Sequence, residues 1–381
     1  MEKRNDFLPY GHQFIDDEDI QAVVNTLRSP FLTTGPTIAE FEESVADYVG
    51  AKYVVAFSNG TAALHGACYA AGIGEGDEAI TTPVTFAASA NCIRYLGGTA
   101  VFADIDPKTY NIDPMDIERK ITAKTKAIIP VDFTGQPADM DAIMEIAKKH
   151  NLVVIEDSAH SLGADYKGKK VGTLADMTMF SFHPVKPVTT AEGGVIATNN
   201  EEYYEKLKLF RSHGITQTAY AEEQGAWYYE MVNLGYNYRM TDLQAALGIS
   251  QMHKLDSFIE RRREIAALYD ELLIDVSGVC IPFQLENTKS GWHLYSIQLD
   301  SNIISKSRRV IFEEMRGLNI GVHVHYIPVY WHPYYQQLGY KKGICPKAEK
   351  WYEHALTLPI FPGMSDEDVV EVVRALKTVI V

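Results

Sequence analysis

The chain is short of cysteine and of positive charge, and it has no long apolar run. Only four cysteines occur in 381 residues, Cys68, Cys92, Cys280 and Cys345, and no two form a CxxC pair. Cys68 and Cys92 lie among apolar neighbours, which points to buried free thiols rather than disulfides or metal ligands. Lysine and arginine number 35 against 50 acidic residues, a formal net charge of −15. A duplex-binding protein normally presents a basic face, so nucleic acid is not an expected partner. No apolar stretch reaches the ~18 residues of a membrane span. The charged segment from Met1 to Phe7 lacks the apolar core of a signal peptide, and the cytoplasm is the expected compartment. Internal repeats and low-complexity tracts are missing too.

What is present is a 46% hydrophobic composition, ample for a large core and more than one domain usually carries. Residues 16–28 read as an amphipathic helix, with Ile20, Val23, Val24 and Leu27 on one face and Asp16, Asp17 and Asp19 in its first turn. The breaker-rich loop Ser29–Pro36 follows, then a helix with Ile38, Phe41 and Val45 inward and Gly50 as its stop. From about 52 to 200, short apolar runs alternate with helical patterns: Tyr53–Phe57, Ala79–Thr81, Ala100–Phe102, Ala127–Val131, Leu152–Ile155, Met177–Phe182 and Gly194–Thr198. The alternation predicts an α/β fold with a mostly parallel central sheet. The runs are apolar at nearly every position, as in strands covered on both faces. A charged helix near 252–275 leads to a smaller C-terminal α+β domain with strands near 293–299 and 355–360 and a final helix near 366–378. The expected division is 1–250 and 251–381.

Three segments carry chemistry. In VVIEDSAH (153–160), a strand ends at Asp157, where open α/β sheets collect ligands; the same aspartate also suits a helix cap. In SFHPVKPVTTAEGG (181–194), Lys186 lies between Pro184 and Pro187; Pro187 biases it away from helix, and neither proline can donate to a ladder. A partly buried lysine has a lowered pKa and a neutral, nucleophilic amine; an ordinary loop lysine is the plainer alternative. In SNGTAALHGA (58–67), Gly60 permits close backbone approach and the helix start offers amides to a phosphate, although an Asn-Gly turn with a cap fits equally. Together the three supply a lysine for an aldehyde, an acid for a ring nitrogen and an anion cradle, the parts of a pyridoxal phosphate site.

At this point the sequence resembles the DegT/DnrJ/EryC1/StrS sugar aminotransferases, within the fold-type I pyridoxal phosphate enzymes. The resemblance runs from about Leu8 to the C-terminus. It rests on SNGTAAL, TPVTF, DIDP, IEDSAH, FSFHPVK, EGG, RSHGI and GYNYRMTDLQAALG, with LPYGHQ, GQP (135–137) and VHYIPVYWHPYY (324–335) narrowing it. Within the group the chain is most similar to enzymes that aminate C4 of a UDP-linked 4-keto-6-deoxy-N-acetyl-hexosamine of L-altro configuration, a pseudaminic acid step. The resemblance implies Lys186 as the Schiff-base lysine, Asp157 as partner of the ring nitrogen and His160 beside the ring. It implies Phe86 as the stacking aromatic, Gly60, Thr61 and Ser181 as phosphate contacts, and Asn237 as a phosphate contact crossing from a second subunit of a homodimer. Tyr10, the loop Pro30, Phe31, Leu32 and Thr33, together with His325 and Tyr326, match the nucleotide-sugar region. Arg239 is a further substrate candidate, and Gly60, Ser181 and Asn237 border the same region. Glutamate is the implied amino donor.

Plainer readings stand beside these. Phe86 suits a core, and Asn237 and Arg239 suit a local turn and an ion pair. Trp227, Tyr228 and Tyr229 suit a sugar pocket, an interface or a core. His323, His325 and His332 do not read as a metal site, because tyrosines and prolines interleave them and no carboxylate or cysteine is near. The related dehydratases carry histidine where this chain has Lys186. A cofactor-sensing regulator is the reading from another class; the intact lysine, acid and phosphate turn argue against it.

Overall fold

The computed structural model describes residues 3–217 and 223–381, so parts of the expected 1–250 division lie outside the described residues. Its centre is a seven-stranded sheet built from β1 (Tyr53–Phe57), β2 (Glu78–Thr81), β3 (Thr99–Phe102), β4 (Thr125–Ile129), β5 (Val153–Asp157), β6 (Met177–Ser181) and β7 (Gly194–Thr198). The order is β1-β7-β6-β5-β4-β2-β3. From β6 to β3 each neighbouring pair is parallel, and β7 runs antiparallel to both β6 and β1. The strands form where the apolar runs predict them, and most of their residues are buried because helices cover both faces. The helix Pro36–Val49 buries Ile38, Phe41 and Val45 and ends at Gly50 in the left-handed region.

A second core gathers round a three-stranded antiparallel sheet, Val279–Cys280, Tyr295–Leu299 and Ala355–Leu358. The helices Leu255–Leu273, Arg308–Gly317 and Asp366–Val379 pack on it. Two segments cross between the cores. Leu8 packs in the second core and bridges Ile320, although it lies near the chain's start. In the other direction Val329, Tyr330, Tyr335 and Trp351 pack in the core of the large sheet.

The first helix, Asp17–Leu27, presents its faces unlike an ordinary amphipathic helix. Ile20 and Leu27 are exposed, while Asp19 is fully buried and takes Lys254 Nζ at 2.9 Å and Gln251 Nε2 at 2.8 Å. A paired carboxylate can occupy the inner face that periodicity alone assigns to leucine-like residues. Cys68 and Cys92 are buried free thiols. Among the described residues, no helix is long and apolar enough to cross a membrane, and no cluster of His, Cys, Asp and Glu could hold a metal.

Candidate active site

Strand ends at the carboxyl edge of the sheet, one helix start and two segments of the second core enclose a cavity of about 950 Å³. β5 delivers Asp157 as its last residue, buried, at the point where the chain turns. Its Oδ2 accepts a 2.6 Å bond from Ser89 Oγ and its Oδ1 a 3.2 Å bond from Ala159 N. Thr85 lies 2.8 Å behind Ser89, so the donors form a short relay aimed at the carboxylate. Burial pushes the Asp157 pKa up; the Ser89 bond, the Ala159 amide and the Lys186 charge pull it back.

Lys186 stands in the loop between β6 and β7. The loop is tied by Lys186 N to His183 O (2.9 Å), Thr190 N to Phe182 O (3.0 Å) and Phe182 N to Gly193 O (2.9 Å). The flanking prolines need no donor partner there. Burial lowers the amine's pKa to about 8, against the attraction of Asp157. An amine tuned this way is an available nucleophile near neutral pH.

The helix Gly60–Ala70 starts on the same cavity. Asn59 caps it by accepting Ala62 N at 2.8 Å. The amides of Gly60 and Thr61 precede any intrahelical acceptor and face the positive end of the helix dipole. β7 begins against this turn: a Cβ at Gly194 would lie 2.6 Å from the Gly60 nitrogen, so only glycine allows the approach. Ser181, at the end of β6, lines the cavity beside it.

The turn after Asp157 is held from below by Asp132. Its Oδ2 accepts Ser158 Oγ (2.9 Å) and Ser161 Oγ (2.5 Å), and its Oδ1 accepts Ala138 N (3.0 Å). These bonds fix His160, whose Nε2 lies 3.2 Å from Tyr326 Oη. Burial, with Lys186 and His325 nearby, depresses the His160 pKa well below the usual range, so its ring is neutral. Tyr10 packs against His323 and His325, with both ring centroids at 5.2 Å, and His325 Nδ1 meets Thr357 Oγ1 at 3.0 Å.

The structure therefore brings Tyr10, Gly60, Thr61, Phe86, Asp157, His160, Ser181, Lys186, His325 and Tyr326 to one cavity. Phe86 is 63% exposed on the cavity wall and is not core. Pro30, Phe31, Leu32, Thr33, Asn237 and Arg239 lie outside this chain's lining. The loop and the Asn237 segment adjoin instead: Leu32 O accepts Asp242 N at 3.0 Å and Thr33 bridges Thr241. Sequence reasoning passed over Ser89 and His293. Ser89 follows TPVTF by three residues on a helical face, and a buried hydroxyl at that spacing was the available signal. His293, in GWHLYSI, gave none until the fold placed it 3.4 Å from Lys186.

Comparison with known proteins decides the class. Residues 13–377 match the DegT/DnrJ/EryC1/StrS aminotransferase family. The chain belongs to that family. It is 44% identical over 384 residues to the spore coat polysaccharide biosynthesis protein SpsC of Bacillus subtilis, covering 100% of this chain and 99% of that one. It is 40% identical over 364 residues to the UDP-4-amino-4,6-dideoxy-N-acetyl-beta-L-altrosamine transaminase of Campylobacter jejuni strain 81-176, covering 95% and 94%. The solved structure of Helicobacter pylori PseC, an aminotransferase involved in the biosynthesis of pseudoaminic acid, superposes with a TM-score of 0.92 at 34% identity over 98% of this chain and 99% of that one. This protein is a sugar aminotransferase that depends on pyridoxal phosphate. The cavity fits that cofactor: an amine of lowered pKa, a buried carboxylate with its own donors, and a helix start with free amides stand together.

Proposed function

We propose that the protein moves an amino group from glutamate to C4 of a UDP-linked 4-keto-6-deoxy-N-acetyl-hexosamine, giving UDP-4-amino-4,6-dideoxy-N-acetyl-β-L-altrosamine. It works in the cytoplasm as a homodimer with shared sites. The observation that carries this reading is the meeting of Lys186, Asp157 and the Gly60 helix start in one cavity whose far wall is aromatic and imidazole-rich. The Campylobacter relative supports the choice of sugar.

Bound, pyridoxal phosphate supplies an aldehyde for the migrating amine and a ring that takes up the electrons of the broken C–H bond. Lys186 would carry it, Asp157 would pair with its ring nitrogen, Gly60, Thr61 and Ser181 would hold its phosphate, and Phe86 and His160 would flank its ring. The Lys186 amine would serve as the base that takes the proton from the donor's α-carbon. The neutral His160 keeps a second positive charge away from that amine. Tyr10, His325 and Tyr326 offer stacking faces and hydrogen bonds to a nucleotide-sugar, with Asn237, Arg239 and the Pro30–Thr33 loop completing a neighbouring subunit's site. Alternation of the two substrates at one site gives ping-pong kinetics.

A different nucleotide keto-sugar, aminated at C3 or of D configuration, is the second reading. The observation behind it is that SpsC, at 44% identity against 40% for the Campylobacter enzyme, is named for spore coat polysaccharide rather than for that sugar. The test is the purified protein against a panel of nucleotide-linked keto-sugars with glutamate, the product's stereochemistry read by NMR. Amination of the UDP-linked L-altro substrate at C4 is the expected result; preference for a D-configured or 3-keto sugar overturns the choice of substrate.

A further inference from the structure

His293 belongs to the second core, yet it reaches the cavity and ends 3.4 Å from the Lys186 amine through Nε2. It is almost completely buried. Its backbone is pinned from three directions. Gly291 N donates to Gly135 O (2.9 Å), and Leu294 N donates to Thr134 O (3.1 Å). The buried Arg262 Nη1 bonds Trp292 O (3.2 Å), His293 O (3.4 Å) and Ile360 O (3.0 Å). The ring is not bound elsewhere: among the described residues its Nδ1 is buried without a partner. So much backbone fixation for a ring with one polar contact, and that contact the Lys186 amine, is not what a core-filling histidine needs.

We infer that His293 is a positioning residue for Lys186, an imidazole whose Nε2 holds the lysine amine in the cavity when the amine is free. The inference rests on the aminotransferase reading above. The titratable and charged groups acting on the ring are Lys186, His160, His325 and Arg262, and Asp157 acts on the lysine. Burial and the cationic partners among them keep His293 uncharged. An uncharged ring can exchange a hydrogen bond with the amine without repelling it once the amine has taken a proton. The restraint matters because Lys186 is a long, rotamer-rich side chain, and a base out of reach of its proton transfers slowly.

The test uses holoprotein with glutamate deuterated at the α-carbon. His293→Leu should lower kcat about tenfold or more while KM for glutamate stays within about twofold. The deuterium effect on kcat should rise, because proton transfer by Lys186 becomes the slow step. His293→Gln, which returns an amide to the Nε2 position, should recover most of kcat and the original isotope effect. If the leucine variant fails to load cofactor, His293→Asn, polar but too short to reach Nζ, is scored by the same readouts. A purely structural role would lower melting temperature or cofactor content and leave the isotope effect unmoved, overturning the inference; kcat within about twofold of wild type would also overturn it. Borohydride treatment of wild type separates the premise. Fixation of cofactor on Lys186 with no effect of His293→Leu defeats the inference alone, whereas failure to fix it there defeats the underlying reading as well.

Discussion

A lysine between two prolines, an aspartate at a strand end and an Asn-Gly turn are each ordinary. Their chemistry appears only when one cavity holds all three. Lys186→Ala should reduce turnover by at least about 10³-fold, as loss of both the cofactor's anchor and the proton carrier requires. A variant with full activity under steady-state assay would refute the role. The lowered pKa gives a second expectation. The neutral amine is the reactive form, so its fraction rises with pH and saturates above the pKa of about 8. In protein stripped of cofactor, the rate of joining added pyridoxal phosphate should climb to a plateau just above that pH. A rate still climbing beyond about pH 10, the range of an unperturbed lysine, would contradict it. Ser89→Ala removes the hydroxyl that lowers the Asp157 pKa. The carboxyl then titrates higher and holds a cationic ring nitrogen less well, so cofactor affinity in a spectral titration should fall by about tenfold. Lys186, Asp157 and Gly60 were legible because proline, strand end and turn leave marks in the sequence. Ser89 left only its spacing from TPVTF and His293 left no mark, since what singles them out is contact across 68 and 107 residues.

Among the elements, the strands were readable because helices cover both faces, leaving runs such as Val54–Phe57 and Val195–Ala197 apolar throughout. The helix Asp17–Leu27 forms where expected, but its facing was not readable, because Asp19, paired with Lys254, is buried while Ile20 and Leu27 are exposed. The junctions between elements rest on glycine. Gly135 has φ +109°, and a Cβ there would meet Trp292 N at 2.7 Å, His160 O at 2.9 Å and His293 N at 3.0 Å. It is where the turn bearing His160 and the segment bearing His293 come together. Gly135→Ala adds both backbone strain and a clash with backbone atoms that cannot yield. It should destabilise by about 3 kcal/mol or more in denaturant unfolding and shift the Lys186 spectral signature with it. A change below about 0.5 kcal/mol would show that this junction is slack.

For the whole molecule, the cores draw on residues from both sides of position 250: Leu8 packs in the second core, and Leu255, Phe258, Val329 and Trp351 pack with the large sheet. Tyr10 reaches the cavity because the arm before it is bound to the C-terminal helix Asp366–Val379: Arg4 pairs with Asp368 at 2.9 Å and with Glu371. Apolar periodicity does not register such an arm, since Phe7, Leu8 and Pro9 form too short a run to show a helix or strand period. The surface carries a second message. Phe31 and Leu32, in the loop that bonds Asp242, and Trp227, Tyr229, Met231 and Leu234, in the segment before Asn237, are 47–79% exposed. Large apolar side chains exposed in such numbers suit an interface. Sedimentation should find a dimer, and Leu234→Glu should shift it toward monomer with loss of activity. A fully active monomer would remove the reason for placing Asn237 in a neighbour's site.

The proposed chemistry turns on Lys186, and one measurement reaches that residue directly. Holoprotein is reduced with borohydride, digested, and the cofactor-bearing peptide identified by mass spectrometry. The account predicts a single phosphopyridoxyl group on Lys186, abolished when glutamate is added first because the amine form of the cofactor is no longer joined to the protein. Label on another lysine, or label on Lys186 that glutamate leaves untouched, would contradict it.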